Sequence, residues 1–197
     1  DLEKLESYGR YLDSDNDGIC YRTYPGTHPE KGAYFTRGTS HDEYARYTED
    51  GNVNAETLMR LMRKFRTASE LVPEPLIEIN GEDSCGIIFY GSSKPAVLEA
   101  KDILKTKNIN VDLMQIRSFP FNLDVWEFIA NHDRIYVVEQ NRDSQMRTLI
   151  MAEGGISAEI LRPLVHFTGD PIEAAYIVNK ISEREVNYKS HKNIKER

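Results

Sequence analysis

Asp13-Ser14-Asp15-Asn16-Asp17-Gly18 places oxygen-bearing side chains at alternate positions and closes on a glycine. A calcium loop opens in this way, because a hard cation takes oxygen ligands and the glycine permits the sharp turn they require. The twelfth position of such a loop falls on Tyr24, where a bidentate glutamate is needed. The segment is therefore read as a solvated acidic turn, and no metal ligands are assigned. His41-Asp42-Glu43 is a second cluster. An imidazole titrates near neutrality, and two carboxylates beside it could orient it for acid, base or metal work. Adjacent residues of an extended segment point in different directions, however, which weakens a catalytic reading.

Two further sites could meet a ligand. Gly91-Ser92-Ser93 stands where a strand gives way to a helix; exposed amides at a helix start attract anions, and glycine allows close approach. These three residues are a weak candidate cradle for an anion, with an ordinary helix cap as the competing reading. The G-x-G-x-x-G fingerprint is absent. Glu139-Gln140-Asn141 ends another predicted strand, the position at which open α/β sheets gather functional groups. The role expected for Glu139 and Asn141 is to organise that loop and a domain interface. Cys20 and Cys85 are far apart and lack C-x-x-C spacing, so they read as buried free thiols rather than as ligands of zinc or an iron–sulfur cluster.

The elements that position these residues divide the chain. Residues 1–75 lack sustained strand alternation and carry the turn signals Tyr24-Pro25-Gly26 and His28-Pro29, so they read as an irregular arm. One helix is predicted there, over residues 54–69. Leu58, Leu61, Met62 and Phe65 recur at helical spacing, and Arg60, Arg63, Lys64 and Arg66 cover the other faces. Pro73 and Pro75 stop it. The arm's tyrosines, Tyr8, Tyr11, Tyr21, Tyr24, Tyr34, Tyr44 and Tyr47, suit an interface, because each buries a ring while keeping a polar tip, and they equally suit a core of the arm's own.

Residues 76–183 change character to short apolar runs alternating with amphipathic segments, the pattern of an α/β domain. Strands are predicted over residues 76–80, 86–90, 111–116, 134–138 and 164–167. Helices are predicted over 94–107, 123–131 and 144–152, and from Asp170-Pro171 to about residue 182, with Asp170 as N-cap. The fold expected is a three-layer α/β/α domain with a mostly parallel sheet. Residues 184–197 are polar, and Lys189, Lys192, Lys195 and Arg197 outweigh Glu196, so a solvated basic tail is expected.

Composition narrows the function. The 197 residues are 40% apolar and carry a formal charge of −7, which suits one domain of about 100–150 residues with an appendage. A negative surface opposes nucleic acid and anionic membranes alike. No apolar run approaches the roughly 18 residues that span a bilayer, and a cytoplasmic protein is expected.

The order of several markers resembles one enzyme family. Asp17-Gly18-Ile19, Arg22, Pro25-Gly26-Thr27, Gly38, His41-Asp42-Glu43-Tyr44, Thr48-Glu49-Asp50 and the basic helix with Arg60, Arg63 and Lys64 resemble the segment after the first alpha-subunit domain of 2-oxoacid:ferredoxin oxidoreductases. Gly91-Ser92, Arg117 before a Pro-Phe pair, Val137-Val138-Glu139-Gln140-Asn141 and Gln145 are similar to the next domain of that family, which is like the C-terminal domain of transketolase. Two departures stand out. Ser144 occupies a position where the family favours glycine, and Phe119-Pro120-Phe121-Asn122 replaces a Pro-Phe-Pro.

The resemblance implies a C-terminal part of an alpha subunit in an enzyme that decarboxylates a 2-oxoacid oxidatively, passing electrons to ferredoxin and the acyl group to coenzyme A. Thiamine diphosphate, Mg2+ and an iron–sulfur cluster would belong to the full complex, with the beta subunit and a second alpha subunit as partners. It also implies that Arg22, His41, Asp42 and Glu43, like Glu139 and Asn141, serve interfaces, and that the isolated chain is inactive with no cofactor of its own. Two rivals remain open: a free-standing nucleotide- or coenzyme-binding module using Gly91 to Ser93, and a calcium-responsive interaction protein using Asp13 to Gly18.

Overall fold

The structure, a computed structural model, describes residues 2–33, 40–81 and 85–195. Tyr34, Gly38, Glu196 and Arg197 lie outside them, as do the side chains of Lys189, Lys192 and Lys195. The chain divides into two compact units, Asp1–Val72 and Pro73–Arg197. No helix among the described residues is long and apolar enough to cross a membrane.

In the second unit the chain runs β1 (Leu76–Glu78), β2 (Cys85–Tyr90), α2 (Lys94–Thr106), β3 (Val111–Ile116), α3 (Leu123–Ala130), β4 (Ile135–Glu139), α4 (Gln145–Gly154), β5 (Leu161–Val165) and α5 (Ala174–Lys195), with α1 (Gly51–Leu71) in the first unit. The sheet order is β1-β3-β2-β4-β5. β1 pairs antiparallel with β3, and all other pairings are parallel. The near-continuous apolar runs of β2 and β4 belong in such a sheet, because helices cover both of its faces. Side chains alternate between the faces. Ile87, Phe89, Tyr136 and Val138 pack with Val97, Ala100 and Leu104 of α2 and Ile177 and Ile181 of α5. Ile88, Ile135 and Val137 pack with Val125, Phe128 and Ile129 of α3 and Ile150 of α4. The result is the three-layer α/β/α arrangement expected.

Two differences from the sequence reading have physical causes. β5 begins at Leu161 rather than near residue 164 and contains Pro163, which an outermost strand tolerates because one side of it makes no ladder. The last helix starts at Ala174, so Asp170 is not its N-cap, and it runs on to Lys195 through the stretch read as a solvated tail. The extension is anchored. Glu185 is 2% exposed and accepts from Arg134 Nε (3.1 and 2.9 Å to its two oxygens) and from Tyr136 OH (2.8 Å). The Arg134 guanidinium also lies 4.3 Å from the Tyr188 ring centre.

The first unit is built on α1. Asp50 caps it, Oδ1 accepting from Asn52 N at 2.8 Å, as a carboxylate at a helix start does. The acidic loop lies along one side: Arg60 Nη1 donates to Gly18 O (2.9 Å), Arg63 to Asp13 Oδ2 (3.2 and 2.8 Å) and Thr67 Oγ1 to Asp17 O (2.5 Å). Gly18 has φ +84°, and a Cβ there would lie 2.2 Å from Lys64 N, so only glycine fits. The loop thus sits on the charged side of the helix. The apolar side is exposed, and α1 buries no residue at all.

Candidate functional site

In the second unit the site is the C-terminal end of the sheet between β2 and β4. These strands are neighbours, yet the chain leaves β2 for β3 on one side and leaves β4 for β5 on the other. Such a reversal splays the loops and opens a crevice where doubly wound sheets place ligands. Gly91–Ser93 follows β2 and Glu139-Gln140-Asn141 ends β4, so the fold brings two of the sequence candidates together.

Gly91–Ser93 forms a single 3-10 turn leading into α2, whose start has no side-chain cap. Gly91 has φ +55° and open space around it. Ser92 is exposed and Ser93 is 3% exposed. Gln140 crosses the crevice: its Nε2 donates to Ser92 Oγ (3.0 Å) and Ser93 Oγ (3.3 Å), and its Oε1 accepts from Ile172 N (3.3 Å). The contact to Ile172, itself 6% exposed, takes the amide from which Asp170 would accept as an N-cap, and the helix begins at Ala174 instead. The sequence reading used Gln140 only as a marker between Glu139 and Asn141. A side chain that bridges three segments has no signal in one dimension.

Glu139 is fully buried. Its carboxylate accepts from Met146 N (2.8 Å), Arg147 N (2.9 Å) and Asn141 Nδ2 (2.7 Å), and so closes the first turn of α4 from the end of β4. It does so because Ser144, the residue before the helix, is in the left-handed region (φ 51°, ψ 50°) and makes no side-chain cap. Ser144 thus takes the left-handed conformation that glycine adopts most readily. A charge placed at a helix start also meets the positive end of the helix dipole. Asn141 Oδ1 accepts from Asp143 N (3.1 Å) and Gln145 N (3.2 Å). Both residues hold the loop, and any share of Glu139 in an interface runs through that loop.

The His41 cluster of the first unit does not converge. The His41 ring stacks on Tyr11 (centroids 3.8 Å apart), with Nδ1 3.1 Å from the Asp42 carbonyl oxygen. Asp42 Oδ1 accepts from Tyr44 N and Arg46 N (2.9 Å each), and the Glu43 carbonyl accepts from Tyr11 N (2.9 Å). Among the described residues no carboxylate orients the imidazole, so the three residues shape a turn rather than an acid–base pair. Open cavities flank this region. One of about 700 Å3 is lined by Tyr11, Asp42, Glu43, Arg46 and Arg60, and another of about 620 Å3 by Leu5, Tyr8, Tyr21, Arg22 and Thr23. Arg22 is exposed at the second.

Asp13, Asp15 and Asp17 bring carboxylate oxygens within 4.8 Å of one another. Their positions are already used. Asp13 takes Arg63 and Gly18 N, Asp15 takes Tyr21 OH (3.1 Å), and Asp17 takes Ile19 N (2.6 Å). An arginine at Asp13 supplies the cation that a calcium loop would take from solvent. Cys85 is buried and Cys20 half-buried, both as free thiols. Burial first, and then the nearby Glu185 carboxylate, push the Cys85 thiol up to about 12.

No family model matches the chain. Among curated proteins it is 29% identical over 185 residues to the alpha subunit of 2-oxoacid:ferredoxin oxidoreductase 2 from Aeropyrum pernix, covering 89% of this chain and 28% of that protein. It is 29% identical over 124 residues to a 2-oxoacid:ferredoxin oxidoreductase alpha subunit from Saccharolobus solfataricus, covering 60% of this chain and 20% of that protein. Among solved structures, the 2-oxoglutarate:ferredoxin oxidoreductase from Magnetococcus marinus, bound to 2-oxoglutarate, coenzyme A and succinyl-CoA, superposes with a TM-score of 0.78 at 23% identity, over 92% of this chain and 31% of that one. The chain spans less than a third of the length of each. The motif order and the relatives agree: this chain is akin to the alpha subunits of the 2-oxoacid:ferredoxin oxidoreductase family and matches a part of them.

Proposed function

We propose that the chain is the C-terminal part of the alpha subunit of a cytoplasmic, thiamine diphosphate-dependent 2-oxoacid:ferredoxin oxidoreductase, and that it supplies assembly and domain-interface surface. The observation that carries this reading is the alignment with an alpha subunit over 89% of the chain. In the whole enzyme a 2-oxoacid would lose carbon dioxide, its acyl group would pass to coenzyme A, and its electrons would pass to ferredoxin. The residues present here do not suit the cofactors of that reaction. Two cysteines, in different units, cannot supply the four thiolates of a cluster, and the sequence lacks the Gly-Asp-Gly…Asn pattern that holds thiamine diphosphate with magnesium. Those groups are assigned to the beta subunit and the upstream alpha domain, with a second alpha copy as a further partner. What these residues do is hold shape: Glu139, Gln140 and Asn141 fix the sheet's end, and the His41 turn and the exposed Tyr21, Tyr24 and Tyr47 present a surface for neighbours.

The test is a dye-reduction assay with a 2-oxoacid and coenzyme A. The isolated chain is expected to give no turnover, and co-expression of the full alpha subunit with its beta partner is expected to give turnover. Activity of the isolated chain would overturn the reading. A subsidiary reading puts a coenzyme A phosphate at Gly91–Ser93, which the uncapped start of α2 and the open space at Gly91 favour. Gly91→Val in the full enzyme would then raise the KM for coenzyme A and leave that for the 2-oxoacid unchanged.

A further inference from the structure

Helix α1 presents its charged side to its own unit and its apolar side outward. Arg60, Arg63 and Thr67 hold the acidic loop, whereas Leu58, Leu61 and Met62, which share one third of the circumference on the opposite side, are 54%, 37% and 61% exposed. A 21-residue amphipathic helix normally turns its apolar stripe toward cover. Here the stripe has cationic margins. Lys64 and Arg66 lie about 100° to either side of its centre, and both are exposed. The helix's own acids, Glu56 and Glu70, lie on the far half. In a chain of net charge −7, an apolar strip bordered by two exposed cations is a local reversal of sign.

We propose that this face of α1 receives an amphipathic helix from a different polypeptide, with an apolar stripe against Leu58, Leu61 and Met62 and carboxylates on both margins opposite Lys64 and Arg66. A second copy of this chain is selected against. Two α1 helices laid antiparallel about Met62 set Lys64 and Arg66 against the same cations, and like charges at an interface repel. Complementary margins also fix the orientation of the incoming helix, as flanking charges do in paired helices. The inference rests on α1 alone and stands apart from the enzyme reading.

The purified chain is titrated into two labelled alanine-based peptides of about 20 residues, long enough to form a helix. Each carries leucines at i, i+3, i+4 and i+7; one has glutamates on both margins, the other lysines. The glutamate peptide is expected to bind about tenfold more tightly, because two exposed charge pairs attract in one peptide and repel in the other. Lys64→Glu with Arg66→Glu is expected to reverse that preference, and Leu58→Ser with Met62→Glu to abolish binding of both. All four positions are exposed, so unchanged far-ultraviolet circular dichroism confirms that the variants fold. Equal affinity for both peptides, binding of neither, or no reversal by the double charge change overturns the proposal. So does a homodimer in sedimentation that Met62→Glu dissolves. None of these results bears on turnover by the full enzyme, so the two readings fail separately.

Discussion

Arg134, just before β4, and Glu185, deep in α5, form a two-pronged contact: the single Nε–H of the arginine lies 3.1 and 2.9 Å from the two carboxylate oxygens, with both side chains nearly excluded from solvent. Tyr136 OH donates to the same carboxylate, and the Tyr188 ring covers the guanidinium. Removing one partner of a buried pair leaves the other charged and unpaired. Glu185→Ala is expected to cost about 3–5 kcal/mol. Truncation after residue 183 is expected to destabilise the second unit at least as much; denaturant unfolding with the fluorescence of Trp126 as probe measures both, and an unchanged midpoint would refute the role of the pair.

Ser144 holds a left-handed conformation that costs an L-residue about 1–2 kcal/mol relative to glycine. Ser144→Gly is therefore expected to stabilise the second unit by about 1 kcal/mol. Glu139→Gln keeps the shape but removes the charge at the start of α4, and is expected to cost about 1–2 kcal/mol. Thermal melts of the two variants are expected to move in opposite directions.

Gln140 ties Ser92 and Ser93 to Ile172. Gln140→Met keeps the bulk and loses the polar contacts. Amide exchange is expected to quicken by about fivefold both near residues 91–94 and near residues 171–173, as the loss of about 1 kcal/mol implies. A response in one segment alone would show that the side chain does not couple them.

Burial works against ionisation of Asp13, but the Arg63 hydrogen bonds, the Gly18 amide and the charges of Arg63 and Arg60 outweigh it and hold the carboxyl below its ordinary value of 3.8. A depressed folded pKa stabilises the folded arm above the ordinary value, and the contribution fades as pH falls through the folded one. Asp13→Asn is expected to lose about 1–3 kcal/mol at neutral pH and to flatten the stability profile below about pH 4. An identical acid limb in the variant would assign that limb to other groups.

Alkylation separates the thiols. Cys85, 1% exposed and pushed up to about 12, is expected to stay unmodified by iodoacetamide at pH 8 in the folded protein. Cys20, half-buried and raised chiefly by burial, is expected to react more slowly than a free thiol but to completion. Mass spectrometry of the labelled peptides decides, and rapid labelling of Cys85 would mean that the sheet opens there.

Much of the fold was readable because its signals are local. The apolar runs Cys85–Tyr90 and Val111–Ile116 and the spacing of Val97, Ala100 and Leu104 declare strands and a helix whatever surrounds them. Three features were hidden for one reason: each depends on a partner distant in sequence. The tail becomes helix because Glu185 finds Arg134, Asp170 loses its cap because Ile172 is held by Gln140, and α1 turns over because Asp13 and Gly18 claim its arginines. The amphipathic pattern of α1 was visible, but which side faces inward was not. At the candidate site the positions after β2 and β4 were legible as strand ends, whereas the clasp between them required the strand order.

The Arg134–Glu185 contact spans 51 residues, and the acid follows every strand of the sheet it serves. During synthesis β4 and β5 emerge from the ribosome with a guanidinium destined for the interior and no counter-ion to receive it. The second unit can thus collapse early, but it acquires its final locked state only when α5 has cleared the exit tunnel. A nascent chain stalled between β5 and residue 185 would be held in a protease-sensitive form.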